Sequence, residues 1–306
     1  MNFKKKVSIL GCLLVLFGAC SSEMLVDVDR TNKIVVNGIF AAGDTINLWL
    51  FRNASLYDTI QSPTDFRYDY GLENALVQLY EDAVLVGTLE QRNSYYAYYS
   101  HVVARSGHHY TLSASCSNYP SITARCQVPD ATMIDTVSYL VSNDSINMKL
   151  QITFSDPDVD ENYYAIRLYT KKNGIKKNRS FYNIDPVFGE ELSYDFNLLR
   201  FSADQKTVAR ADISDGGNQG GPISFHCILP NRFIDALSSN DIFPGDTIGV
   251  LLYSIPLSIY EYNQSVNAYE GIQQSGSEPA SIYTNVSNGI GIFSGYAYSY
   301  YEFNYQ

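Results

Sequence analysis

Tyr110-Thr-Leu-Ser-Ala-Ser-Cys116 and Ser121-Ile-Thr-Ala-Arg-Cys126 flank the turn residues Asn118, Tyr119 and Pro120. Both stretches repeat with a period of two, which sends alternate side chains to opposite faces and reads as two strands of a hairpin. The same period extends outward through Lys33-Ile-Val-Val-Asn37, Thr45-Ile-Asn-Leu-Trp-Leu-Phe51, Ala75-Leu-Val-Gln-Leu-Tyr80 and Tyr95 to Val103. Turn signals at Gly43-Asp44, Ser62-Pro63, Glu81-Asp82 and Ser106-Gly107 separate these runs. Short strands punctuated this often predict an antiparallel sandwich. It closes at Val128-Pro129-Asp130, giving an N-terminal domain over 33–130 of immunoglobulin-like or transthyretin-like type. In such a hairpin Cys126 falls opposite a residue near Thr111 and Cys116 opposite one near Ser121. The thiols are then offset by about 16 Å at roughly 3.3 Å per residue, beyond the roughly 7 Å Cα limit for a disulfide, and no bridge is expected.

A second β-rich domain is expected over 131–306. Its strands are Met133 to Val141, Ser145 to Phe154, Asn162 to Thr170, Ile223 to Leu229 and Asp246 to Ser254. The segment Lys171 to Gly221 reads as looser, with the glycine run from Gly216 to Gly221 unable to hold a regular element. Pro256 to Gln273 is the one helix expected, because Ile259, Tyr262, Val266, Tyr269 and Ile272 recur at spacings of three and four. Gly289-Ile-Gly-Ile-Phe-Ser-Gly295 and the alternating aromatics through Tyr305 predict a long closing strand. The fold class is therefore all-β, with two antiparallel β-sandwich domains and one short helix near the C-terminus.

The N-terminus carries a different signal. Lys4-Lys5-Lys6, an apolar run of eleven residues from Val7 to Phe17, and Phe17-Gly18-Ala19-Cys20 have the n-region, h-region and small-residue cleavage site of a bacterial secretory signal. The run is short of the roughly 20 residues a spanning helix needs. Residues 1–19 are thus expected to be a lipoprotein signal peptide, with Cys20 the acylated new N-terminus and 20–32 an acidic tether bearing Glu23, Asp27 and Asp29. Removing 1–19 takes three lysines from the 21 basic residues, leaving 18 against 32 acidic and a net charge of −14. So acidic a chain argues against nucleic acid as a partner and leaves the N-terminal lipid as the expected membrane contact.

Groups able to do chemistry are scarce. No H-E-x-x-H, G-x-S-x-G or phosphate-binding glycine loop occurs. His108 and His109 are adjacent, and on a strand they would point to opposite faces. Asp156-Pro-Asp-Val-Asp-Glu161 starts like a calcium loop, but Glu161 and Arg167 stand where an EF-hand needs Gly and Glu. A solvated acidic turn between the strands ending at Phe154 and starting at Asn162, with Asp and Pro placed for turn chemistry, is the preferred reading. No cofactor, metal or catalytic residue is expected, and the chain reads as non-enzymatic. The most unusual composition is Tyr95-Tyr96-Ala97-Tyr98-Tyr99, where Tyr95 and Tyr99 share one strand face and Tyr96 and Tyr98 the other. One pair should enter the core; the other could form a stacking platform for a ligand or partner.

The order of features resembles a known family. After the lipoprotein Cys20 come Val35-Val36-Asn37-Gly38, Gly107 ahead of Tyr110-Thr-Leu, Phe154-Ser-Asp-Pro before Glu161-Asn-Tyr-Tyr164, Tyr260-Glu-Tyr262, and Asn285-Val-Ser-Asn-Gly-Ile-Gly-Ile-Phe293. These are similar to the Bacteroidetes outer-membrane lipoproteins catalogued as domain of unknown function 4249. The resemblance implies a lipid-anchored outer-membrane protein, expected to face the cell exterior, with a TonB-dependent transporter as partner in ligand capture or gating. A structural or adhesive envelope module binding other surface proteins or glycans is the alternative. The resemblance supplies no ligand or catalytic residue.

Overall fold

The structure, a computed structural model, describes residues 32–53, 70–92, 97–142, 147–157, 160–185, 210–216, 220–230, 241–275 and 281–306. The alternation in the sequence becomes alternation in burial. Along β2 (Thr45–Arg52), Ile46, Leu48 and Leu50 are buried while Trp49 faces outward, and β7 (Ile122–Gln127) alternates at every residue. One layer of the first sandwich is β1 (Ile34–Ala41), β2 and β5 (Ala97–Val103). The other is β3 (Leu76–Glu81), β4 (Val84–Gln91), β6 (His109–Ser115) and β7. Strand β4 bridges the layers, pairing β3 along most of its length and β5 at Glu90 and Gln91. Between the layers lie Val36, Leu48, Leu50, Val77, Leu79, Tyr98, Tyr110 and Leu112. The β6–β7 register puts Cys126 opposite Tyr110 and Ala114 opposite Ile122. Cys116, Cys126 and Cys227 are free thiols.

A second sandwich packs β10 (Tyr163–Lys172) and β15 (Thr247–Ile255) against β8 (Ile134–Val141), β9 (Asn147–Asp156) and β14 (Gly221–Pro230). Short strands complete its edges: β11 (Ile175–Arg179) and β13 (Ala211–Ser214) along β10, and β12 (Tyr182–Asn183) along β14. Its core holds Leu150, Phe154, Ile166, Leu168, Phe225, Val250 and Leu252.

The two cores share one strand. The first half of β17 (Ile290–Asn304) runs parallel to β1, from Val35↔Ile290 to Ala41↔Tyr296. Its second half pairs antiparallel with β15, from Ser254↔Ala297 to Thr247↔Asn304. Phe293, and Val286 of β16 (Val286–Ser287), therefore belong to the first core, while Tyr305 belongs to the second. The first sandwich is thus not built from a contiguous stretch ending at residue 130. Pairing with β1 is tight at Gly291, where φ is 105° and an added Cβ would collide with the Val36 carbonyl. Among the described residues every other ladder is antiparallel. The helix α1 (Leu257–Ser275) follows Pro256 and lies on the outside of the β10–β15–β17 sheet. Ile259 is its deep anchor, packed with Ala165, Ile255 and Ile292, while Tyr260 stacks on Tyr163 at 4.7 Å. Tyr262, Val266 and Tyr269 of the expected stripe are only half-buried, because the helix rides on the sheet surface rather than in a core. Among the described residues no helix is long and apolar enough to cross a membrane.

Candidate binding face

Cys20, Tyr95 and Tyr96 lie outside the described residues. Tyr98 does not belong to a surface platform. Its ring is buried in the first core, where its hydroxyl donates to the Leu72 carbonyl (2.9 Å) and accepts from the Ala75 amide (3.1 Å). Strand alternation leaves Tyr99 half-exposed on the opposite face, with the Arg92 guanidinium 5.7 Å from its ring centre. Tyr95, its expected partner on that face, lies outside the described residues.

The two adjacent histidines meet rather than diverge. His108 Nδ1 lies 2.6 Å from Asp82 Oδ2, and His109 Nδ1 lies 3.9 Å from Asp82 Oδ1. His108 precedes β6, so strand alternation does not govern it, and the Asp82-Ala83 turn (φ 46° and 69°) swings the carboxylate beneath both rings. Beside it Arg105 grips Glu81 through Nε (2.9 Å) and Nη2 (2.8 Å), and the Tyr110 hydroxyl donates to the same carboxylate. The Arg105 hydrogen bond holds Glu81 below the usual carboxylate range, and the His109 amide does the same for Asp82. These contacts tie the β3–β4 turn to the entry of β6. An open groove of about 950 Å³ adjoins it over the outer face of β3, β6 and β7, floored by Thr111, Ser113, Thr123 and Arg125. Among the described residues no cluster of three or more His, Cys, Asp or Glu could hold a metal ion. Burial pushes the Cys126 thiol up to about 12 and Cys227 higher still, so neither is a nucleophile near neutral pH.

In the acidic stretch, Asp158 and Val159 lie outside the described residues. Asp156 turns inward. Tyr164 donates its hydroxyl to Oδ1, Oδ2 has no hydrogen-bond donor, and burial raises the carboxyl above its ordinary range.

The outer face of the second sandwich is different in kind. Cross-strand register places Asp212, Ala165, Tyr253 and Tyr298 in one row, Arg167, Leu251 and Tyr300 in the next, and Tyr169, Gly249 and Glu302 in a third. Tyr253, Tyr296 and Tyr298 form a contiguous aromatic group with ring centres 5.5–6.5 Å apart. Exposure climbs along β17 until Tyr298 is 47% and Tyr300 63% accessible. Tyr169 lies flat across Gly249, at which an added Cβ would fall inside the ring. Its hydroxyl donates to Glu302 (2.6 Å), and Lys176 Nζ caps its other face at 3.6 Å. Alternating tyrosines at 296, 298 and 300 were visible in the sequence as part of a closing strand. What was not visible is that β15, β10 and β11 put Leu251, Lys171 and Lys176 beside them.

Comparison with known proteins adds a family. The model described as "Domain of unknown function (DUF4249)" matches residues 22–302. The chain belongs to that family. No curated protein matches it. Solved structures with some likeness include a β-glucuronidase from glycoside hydrolase family 2, at 9% identity and TM-score 0.22, covering 72% of this chain and 18% of that one. A DUF4785 family protein from Legionella pneumophila aligns at 9% identity and TM-score 0.25, over 74% of this chain and 54% of that one. A putative membrane anchored protein from Corynebacterium diphtheriae aligns at 10% identity and TM-score 0.21, with coverage of 72% and 54%. At these scores none of the three bears on fold or function.

Proposed function

We propose that this chain is a lipid-anchored outer-membrane protein of a Bacteroidetes cell, facing outward and held by acylated Cys20. It serves a TonB-dependent transporter as a non-enzymatic accessory that captures or gates its ligand. The lipoprotein-type signal before Cys20 and the family membership support the anchor and the setting. The observation that carries a binding role is the exposed pair Tyr298 and Tyr300, 47% and 63% accessible and two residues apart on one face of β17. Rigid aromatic surface of this kind makes large contacts at low entropic cost. Affinity purification of the full chain from detergent-solubilised outer membrane tests the reading. A transporter should co-purify with the wild type and be lost when Tyr298 and Tyr300 are both replaced by Ala. Recovery of no transporter rejects the accessory role. A structural or adhesive module is the second reading, favoured by Val84, Leu85 and Val86, three successive exposed apolar residues on β4. Recovery of other surface proteins, lost on Leu85→Asn, would support it.

A further inference from the structure

The basic residues of this acidic chain are unevenly placed. Lys171, Lys172, Lys176 and Lys177 fall within seven residues, around a tight Asn173-Gly174 turn with φ of 50° and 79°. That turn sets the register Lys171↔Lys176, two like charges directly opposite on neighbouring strands. Such a pair destabilises a hairpin. Lys171 is partly answered by Glu302 at 3.8 Å. Lys176 has the face of Tyr169 and no carboxylate among the described residues. The fold therefore carries an electrostatic cost on its outer face, beside the exposed rings of Tyr298 and Tyr300.

Between these groups lies a groove of about 270 Å³, just below the roughly 300–1,000 Å³ common for ligand clefts. Leu251 is its floor, Tyr298 and Tyr300 its aromatic side, Lys171 and Lys176 its cationic side, and Glu302 an acceptor at its end. From this juxtaposition we infer that the groove binds an acidic saccharide, a sugar ring bearing a carboxylate or sulfate. The CH-rich face of the ring lies against Tyr298 and Tyr300, where an apolar surface edged by hydroxyls suits a ring edged by hydroxyls. The anionic group sits at Lys176 and relieves its repulsion with Lys171. Glu302, already held by Tyr169 and Lys171, accepts from a sugar hydroxyl. An anionic phospholipid headgroup could satisfy the lysines, but its apolar tails have no counterpart in a groove with a single aliphatic floor residue.

The inference deepens the proposed binding role and rests on it. The test uses the full chain in detergent on an array of uronate-, sulfate- and sialate-bearing oligosaccharides with neutral counterparts of equal length. An acidic member should bind at least about tenfold tighter than its neutral counterpart, and the preference should shrink at high salt. Lys176→Ala should abolish that preference, Tyr300→Ala should weaken acidic and neutral members alike, and Lys177→Ala, outside the groove, should change neither. Equal binding of acidic and neutral members, binding of none, or an intact preference in Lys176→Ala overturns the inference. So does Lys176-dependent binding to phosphatidylglycerol vesicles in place of any sugar. If transporter co-purification still depends on Tyr298 and Tyr300 in those cases, the broader binding role stands and only the ligand class falls. If it does not, the binding role itself falls.

Discussion

The two halves of β17 share a strand and differ in purpose. Residues 290–296 are a seam: Gly291 and Gly295 let the backbone and Phe293 press into β1 and the first core. Residues 297–304 form a surface: Ala297, Ser299 and Tyr301 turn toward the second sandwich, while Tyr298 and Tyr300 stand outside it. Glycine is spent where backbones must touch, and tyrosine where a face is left open. The contrast predicts stability effects from the first half and, from Tyr298 and Tyr300 of the second, effects on the proposed binding.

The largest expected effect is on the seam. Gly291→Ala introduces a side chain into the Val36 carbonyl at a φ that L-residues avoid. It should cost about 3 kcal/mol or more, combining overpacking with left-handed strain. Chemical denaturation should show a lower midpoint, and a midpoint within error of wild type would break the seam account. A smaller loss is expected for Tyr98→Phe, which strands the buried Leu72 carbonyl and Ala75 amide. About 1–2 kcal/mol should go, with no effect on binding, since the ring is inside.

Asp156 sharpens the comparison from the other core. Its folded carboxyl titrates above the ordinary value because burial disfavours the charge. The folded state thus holds this proton more tightly than the unfolded state, so the stabilisation is complete below the unfolded value. It is lost as pH rises through the folded one. Asp156→Asn keeps an acceptor for the Tyr164 hydroxyl and removes the buried charge. Thermal melts should find the variant more stable than wild type at pH 7 and the gap closing toward pH 4. A variant less stable at pH 7 would show that the ionised form is the favoured one. Millimolar calcium should not shift either melt; a rise of several degrees reversed by chelator would give the acidic stretch a metal role.

Much of this architecture was legible. Strands β2, β6 and β7 follow from strict alternation, and the helix expected over Pro256–Gln273 is found at Leu257–Ser275. Strand β4 was not, because Val84, Leu85 and Val86 are apolar in succession and all exposed, leaving no period to read. The parallel β1–β17 pairing was hidden for a different reason. It joins residues about 250 positions apart, and local pattern carries no information about partner choice. The binding face suffered from the same limit. The Tyr95–Tyr99 cluster was conspicuous in composition, and its described part, Tyr98 and Tyr99, supplies one core ring and one half-exposed ring. The β17 tyrosines matter because of strands that register brings alongside them.

The central claim is that Tyr298 and Tyr300, on the outer face of β17, are for contact and not for folding. Replacing Tyr298 and Tyr300 together by Ala in the full-length chain should leave the melting temperature within a few degrees of wild type. Recovery of the co-purifying transporter or ligand should fall by at least about tenfold, the scale of lost aromatic anchors. Undiminished recovery, with the variant folded, would contradict the account.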